Sequence, residues 1–493
     1  MKKDSLQGLL EPFIFNELTK TEYSIYSFDS VELLTNNRLD IAFKLFYLDI
    51  RRHHKDFAED VYKQDIKAQT LGKFVEYGNE DNKNSFVKYL QLFDETLRSF
   101  EEKGFDEEKT LIPLSKNGSI INGSHRLASA IYHKLNVSCI FTEEKSMFAN
   151  YQYFYDRNIP SEYIEMAVNK FIEYAENVYI AFLWPSGKGY KEEVESFFQN
   201  VVYKKQLKLN HTGALNLLVE LYKHMDWVGA KESGFPGALQ KVTECFPNTE
   251  SFTVVVFQSD SIESVRKVKE KVREVYDIGF SSIHITDTKE EAKTISKLIL
   301  NKNGIHFLNY ANPYKFNEVH SSLCDFKEFL KKNEINKSDV VIDGSLLLTL
   351  YGLRKNYDVD CLYSDEINNV DSDLEYESHD SELVYHNTSK ENLLYNPKYY
   401  FEYFGFKFVS FEQLYLMKKN RNEAKDVNDC KIMESLIDNN KIKIFLLKQK
   451  QVLYYKKIKF LRKFNFEIRF FLKKIGLHHI IKPIYRKIIK TKL

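Results

Sequence analysis

Between Val340 and Asp360 the chain reads VVIDGSLLLTLYGLRKNYDVD, and this stretch narrows the possible folds more than any other. Val340 to Ile342 is a β-branched apolar run with strand character. Gly344-Ser345 supplies a turn, the leucine-rich segment after it a helix, and Asp358-Val359-Asp360 a second strand. Side chains at i and i+2 of a strand share a face, so Asp358 and Asp360 are positioned to grip one divalent cation, Mg²⁺ or Mn²⁺. A Gly-Ser turn ahead of a helix offers backbone N–H groups and a hydroxyl to phosphate oxygens. A cation and a phosphate cradle are the minimum equipment for transfer at phosphorus.

In order and spacing, Gly344-Ser345, helix, Asp358-x-Asp360 resembles the nucleotidyltransferase superfamily. The resemblance implies catalytic, metal-binding roles for Asp358 and Asp360, and phosphate-binding roles for Gly344, Ser345 and Arg354. It also implies a third carboxylate on a later strand, for which Glu375, Glu377 and Glu382 are candidates. Phe411 to Asp429 has helical periodicity in Leu414, Met417 and Val427, with Lys418, Arg421, Lys425 and Asp429 on one stripe. That stripe is similar to the basic helix beside the active site of minimal nucleotidyltransferases, which gives Lys418, Arg421 and Lys425 a nucleotide-binding role. An ordinary ion-paired face, with Lys425 against Asp429, is the alternative. The same run is also similar to the LicD/fukutin group, which transfers phospho-substituents from CDP-linked donors. That group has a more acidic run where Asn356-Tyr357 stand here.

A second motif lies at Leu111–His133. Asn117-Gly118 is a turn dipeptide between two apolar runs, and a helix is expected to begin just after Gly123. Ser124, His125 and Arg126 then occupy its first turn, where free N–H groups, the helix dipole and a guanidinium make a phosphate site. The arrangement resembles the ParB/sulfiredoxin-like fold, implying that Gly123, Ser124, His125 and Arg126 hold phosphates of ATP or CTP. Ser124 stands where sulfiredoxins carry a reactive Cys, so sulfinic-acid repair is not expected. No helix-turn-helix is evident after residue 145, which disfavours chromosome partitioning. The expected helix Phe86 to Phe100 suits the fold, and Glu76 to Asn79 with Lys83 are candidate polar lining.

The middle of the chain promises a small α/β layer with a partly parallel sheet. Phe252–Phe257, Ser282–Thr286 and Ile305–Leu308 read as strands; Ser261 to Tyr276 and Lys289 to Leu300 read as helices, the latter capped by Thr288 and Glu291. His284, Asp287 and His306 fall near strand ends, where such layers place ligands, although single strand histidines are commonly core residues.

The 493 residues suffice for two to four domains, and 43% hydrophobic with 29% charged residues is a globular composition. Five scattered cysteines without a C-x-x-C pair argue for reduced thiols in the cytoplasm and against a zinc site or disulfide framework. Neither a signal peptide nor a spanning segment is expected. Residues 441–493 hold 17 Lys+Arg against one acid, Glu467, leaving the remainder acidic. Their interleaved Phe, Leu, Ile and Tyr predict basic amphipathic helices, broken near Gly476 and Pro483, resting on an anionic membrane surface. Nucleic acid is the other partner such charge suits; the apolar density favours the membrane. Docking on the acidic body of the same chain is a third reading.

Together these readings predict an α/β and α+β multidomain protein. Residues 1–148 form a ParB/sulfiredoxin-like nucleotide-binding domain, 149–313 a central α/β domain, 314–440 a nucleotidyltransferase-fold domain and 441–493 a basic amphipathic tail. The resemblances imply a metal- and nucleotide-dependent transferase of phosphoryl or nucleotidyl groups. Its acceptor would be a small phospho-metabolite or a glycan of bacterial capsule or lipopolysaccharide biosynthesis, and its location cytoplasmic, peripheral on the inner membrane face. An antitoxin-type nucleotidyltransferase or nucleotide sensor acting on RNA or DNA is the alternative.

Overall fold

Helix Leu39–Ile50 is buried along ten of its twelve residues, and the N-terminal elements are arranged around it. In this computed structural model it packs against helices Lys55–Gln69, Ser124–His133 and Ser161–Tyr174. The structure describes residues 1–76, 83–367, 376, 378–437 and, nearer the C-terminus, Phe460, Phe464 and Glu467. The protein is mixed α/β, mostly helical, with three small sheets. Two compact units divide the chain, Met1–Leu414 and Tyr415–Leu493. Most of the expected tail, Tyr77 to Asn79, and both Glu375 and Glu377 lie outside the described residues.

The first sheet has strands β1 (Ile25–Asp29), β2 (Ile112–Leu114) and β3 (Asn136–Phe141) in the order β1-β3-β2. Asn117-Gly118 makes the expected turn: Gly118 has φ +81° and its N–H donates to the Ser115 carbonyl at 3.0 Å. After it Leu114 forms a single bridge to Ile120 in place of a full strand. Helix Phe86–Lys103 covers Ser124–His133.

The second sheet comprises β4 (Val178–Leu183), β5 (Val201–Leu207), β6 (Phe252–Gln258) and β7 (Ile283–Ile285), in the order β5-β6-β4-β7. Every neighbouring pair is antiparallel, which corrects the expectation of partly parallel pairing. The strand–helix–strand run through helix Ile262–Tyr276 does bring β6 and β7 to the same direction. β4 is inserted between them and runs opposite to both. Ala181, Val255, Phe257 and Ile285 pack with Val265 and Val272 of that helix.

Ile305–Leu308 is not a strand; it lies inside helix Lys302–Tyr310. The Asn301 side chain accepts from the N–H groups of Asn303 (2.8 Å) and Gly304 (3.2 Å), an N-cap that starts a helix where the apolar run alone suggested extension. His306 is consequently a helix residue. Helix Lys289–Ile299 begins as expected, with Thr288 accepting from the Glu291 N–H at 3.1 Å.

The third sheet, order β10-β11-β8-β9, joins β8 (Val340–Asp343), β9 (Asp360–Tyr363), β10 (Tyr400–Tyr403) and β11 (Phe406–Val409). β8 pairs parallel with β11 and antiparallel with β9. The helix after Gly344-Ser345 is short, Leu346–Leu350. The expected single helix from Phe411 to Asp429 is two, Phe411–Arg421 and Ala424–Ile437, because Asn422 between them is left-handed (φ +54°). Among the described residues no helix is long and apolar enough to cross a membrane.

Candidate functional site

β8 ends at Asp343, and directly opposite it in the antiparallel ladder stands Asp360, the first residue of β9. Facing residues of such a pair project from the same side of the sheet. Between them in sequence, Gly344 turns the chain with φ +86°. A Cβ on Gly344 would lie 2.3 Å from Asp360 Oδ2, so only glycine lets that carboxylate close over the turn. Ser345 Oγ accepts from the Arg354 guanidinium. The loop carrying Arg354 toward Asp358 is pinned by Thr349, whose hydroxyl donates to the Asn356 carbonyl (2.7 Å) and accepts from its N–H (2.9 Å). Gly344, Ser345, Arg354 and Asp360 are thus brought together. β9 begins only at Asp360, so Asp358 lies ahead of the strand and is exposed while Asp360 is half-buried, which corrects the expectation that the two share one strand face.

Asp343 is completely buried. Its Oδ2 accepts from His379 Nδ1 at 3.1 Å and His386 Nε2 at 3.2 Å. Burial opposes ionisation, but the two imidazoles outweigh it and hold the carboxyl well below the ordinary range. Gln413 Nε2 lies 2.9 Å from His386 Nδ1; donating there, it leaves the ring's proton on Nε2, facing Asp343. The His379 N–H donates to the Cys361 carbonyl at 2.8 Å, which fastens this residue beside β9. Burial lowers the His379 pKa, but Asp343 and then Asp360 overcome it and raise it. Asp343 Oδ1, equally buried, has no hydrogen-bond partner among the described residues. Asp343, His379, His386 and Gln413 were missed by sequence reasoning; the only local signal was an acid abutting Gly344.

The residues present fit a divalent cation in a specific sense. Among the described residues no three His, Cys, Asp or Glu side chains form a cage that could hold a metal. Mg²⁺ does not require one, being commonly held by one or two carboxylates and completed by substrate phosphates. Glu382, a candidate third acid, lies in a short helical turn, Asp380–Tyr385.

At the N-terminal motif, helix Ser124–His133 starts directly after Gly123, whose φ is +92°. His125 points inward, its Nε2 2.6 Å from the Tyr62 hydroxyl and its ring 4.8 Å from that of Phe93. Burial, then Lys44 and Lys83, lower its pKa well below the usual histidine value. The Arg126 guanidinium turns back to the Thr110 hydroxyl, the Leu111 carbonyl and the Asn122 side chain. Lys83 pairs with Glu76 at 2.7 Å.

In the second unit, Lys418 pairs with Asp429 (2.9 Å) and Asp426 (3.3 Å), and Arg421 with Asp426 (2.8 Å). Lys425 pairs with Glu423, not Asp429. Among the central histidines, His284 sits between the Tyr222 hydroxyl (2.9 Å) and Glu291 (3.0 Å), and His306 meets the Tyr351 hydroxyl. Asp287 pairs with Lys269. A cavity of about 1030 Å³, lined by Asp49, Lys170, Glu173, Lys297, Glu402 and Lys407 among others, opens beside Ser338 and Asp339, at the end of β8 away from Asp343.

No family model matches this chain, and comparison with curated proteins and with solved structures found no match.

Proposed function

We propose that the protein transfers a phosphorus-containing group from ATP or CTP, with Mg²⁺ or Mn²⁺, to a hydroxyl- or phosphate-bearing acceptor. One observation carries this reading: the Gly344 turn leaves room for the Asp360 carboxylate directly against Gly344-Ser345. Asp358 and Asp360 would hold the cation. Gly344 and Ser345 N–H groups and the Arg354 guanidinium would bind phosphate oxygens, fixing the group for in-line attack. When bound, the cation neutralises phosphate charge and stabilises the leaving group. Gly123 to Arg126 is read as a second nucleotide-binding element. The basic segment 441–493 suits a glycan acceptor at an anionic membrane face.

The test is product analysis by mass spectrometry after incubating the full-length protein with ATP or CTP, Mn²⁺ and candidate phospho-sugars or lipid-linked glycans. Asp360→Asn should lower the rate by roughly two to three orders of magnitude, as expected for loss of a major electrostatic contribution. Undiminished transfer by Asp360→Asn, or transfer surviving full chelation, would overturn the reading.

A further inference from the structure

If two acids grip the cation, their neighbours decide how firmly they are held, and Asp343 stands out. It faces Asp360 across the β8–β9 ladder at the mouth of the phosphate cradle. Carboxylates in directly opposed positions have Cβ atoms about 4.5–5.5 Å apart and repel unless something positive lies between them. One Asp343 oxygen is tied by His379 and His386; the other is buried without a partner among the described residues, which costs free energy unless a ligand satisfies it. Gln413 bonds the far side of the His386 ring, and the Cys361 carbonyl accepts from the His379 backbone N–H, so both residues are held against this carboxylate. Outer groups of this kind orient metal ligands.

We propose that Asp343, an acid before the Gly-Ser turn and not one downstream of Asp360, is the further carboxylate that holds the divalent cation. Its unpaired Oδ1 and the Asp360 carboxylate form the protein's share of the site, and nucleotide phosphates supply the rest. Asp358, exposed and ahead of the strand, reaches the cation through a bound water and not directly. The inference rests on the transferase reading above.

The experiment uses full-length protein carrying ¹³C-labelled histidine, titrated with Mn²⁺ in the presence of α,β-methylene-CTP or -ATP. Paramagnetic broadening should remove the His379 and His386 signals first and leave His284, in the second sheet, intact. Asp343→Asn, checked for fold by circular dichroism, should weaken Mn²⁺ binding at least about ten-fold by electron paramagnetic resonance. If Asp343→Asn does not fold, Asp343→Glu, which keeps the charge but moves the carboxylate, takes its place and should weaken Mn²⁺ binding likewise; unchanged binding by a folded Asp343 variant overturns the proposal. Sharp His379 and His386 signals at saturating Mn²⁺, with binding abolished by Asp360→Asn, overturn the role of Asp343 and leave the transferase reading standing. Absence of any Mn²⁺ binding by wild type with nucleotide overturns both.

Discussion

Lys44 Nζ lies 2.6 Å from Asp65 Oδ2, and neither side chain is exposed to solvent. The same ammonium reaches Asp40 at 3.4 Å, and Asp40 in turn accepts from Arg38 at 2.8 and 2.9 Å. Four charges are thus embedded in the helical layer around Leu39–Ile50. Removing one partner leaves the others buried and uncompensated. Lys44→Met should destabilise the protein by about 3–5 kcal/mol, read from urea unfolding. Replacing Lys44 and Asp65 together by apolar residues should cost less than the single change.

Gly344→Ala isolates the cradle from the rest of the fold. The added methyl would sit 2.3 Å from Asp360 Oδ2 on a backbone at φ +86°, so the carboxylate must move. A displacement of about 1 Å at a reacting centre costs roughly 100-fold in rate. Nucleotide turnover should fall by that order. A variant retaining wild-type turnover would remove Asp360 from the reaction.

Acid should loosen the middle of the chain. Burial pushes His306 and His320 down to about 4, and each neutral ring accepts from or shares a proton with a tyrosine hydroxyl, Tyr351 and Tyr403 respectively. The unfolded chain binds these protons near the ordinary histidine value of 6.5, whereas the folded chain resists until about pH 4. Stability is therefore full above about pH 6.5 and declines as pH falls toward 4. The His306→Gln, His320→Gln double variant should show a flatter urea-midpoint profile across this window. An unchanged slope would mean these rings do not set it.

Residues 441–493, mostly outside the described residues, make a prediction from charge alone. With 17 basic residues and one acid, the segment should carry the protein to anionic liposomes in flotation and release it as salt rises. A chain ending at Asn440 should stay in solution. Equal flotation of both forms would assign the segment another purpose.

What could be read in advance was local. Val340–Ile342 as a strand, the helix starting after Gly123 and the Thr288 cap each depend on residues within one turn of one another. The Ile305–Leu308 run failed because four apolar residues suit either strand or helix, and the deciding group, Asn301, lies upstream. The direction of the second sheet failed because β4, far from β7 in sequence, enters between β6 and β7. His379 and His386 were illegible for the same reason: they reach Asp343 from 36 and 43 residues away. The stripe Lys418, Arg421, Lys425 was broken by one left-handed Asn422.

The second sheet also bears on how the protein keeps to itself. β5 is one of its two edge strands, and an edge strand is a template on which another chain can continue the ladder. This one carries an irregular register between Val201 and Tyr203, and then Lys204 and Lys205, tethered to Glu195 and Glu165. A stranger strand arriving here would meet a kink at one end and two ammonium groups along its length. Recruitment of further copies into a growing fibre is thereby discouraged along this edge.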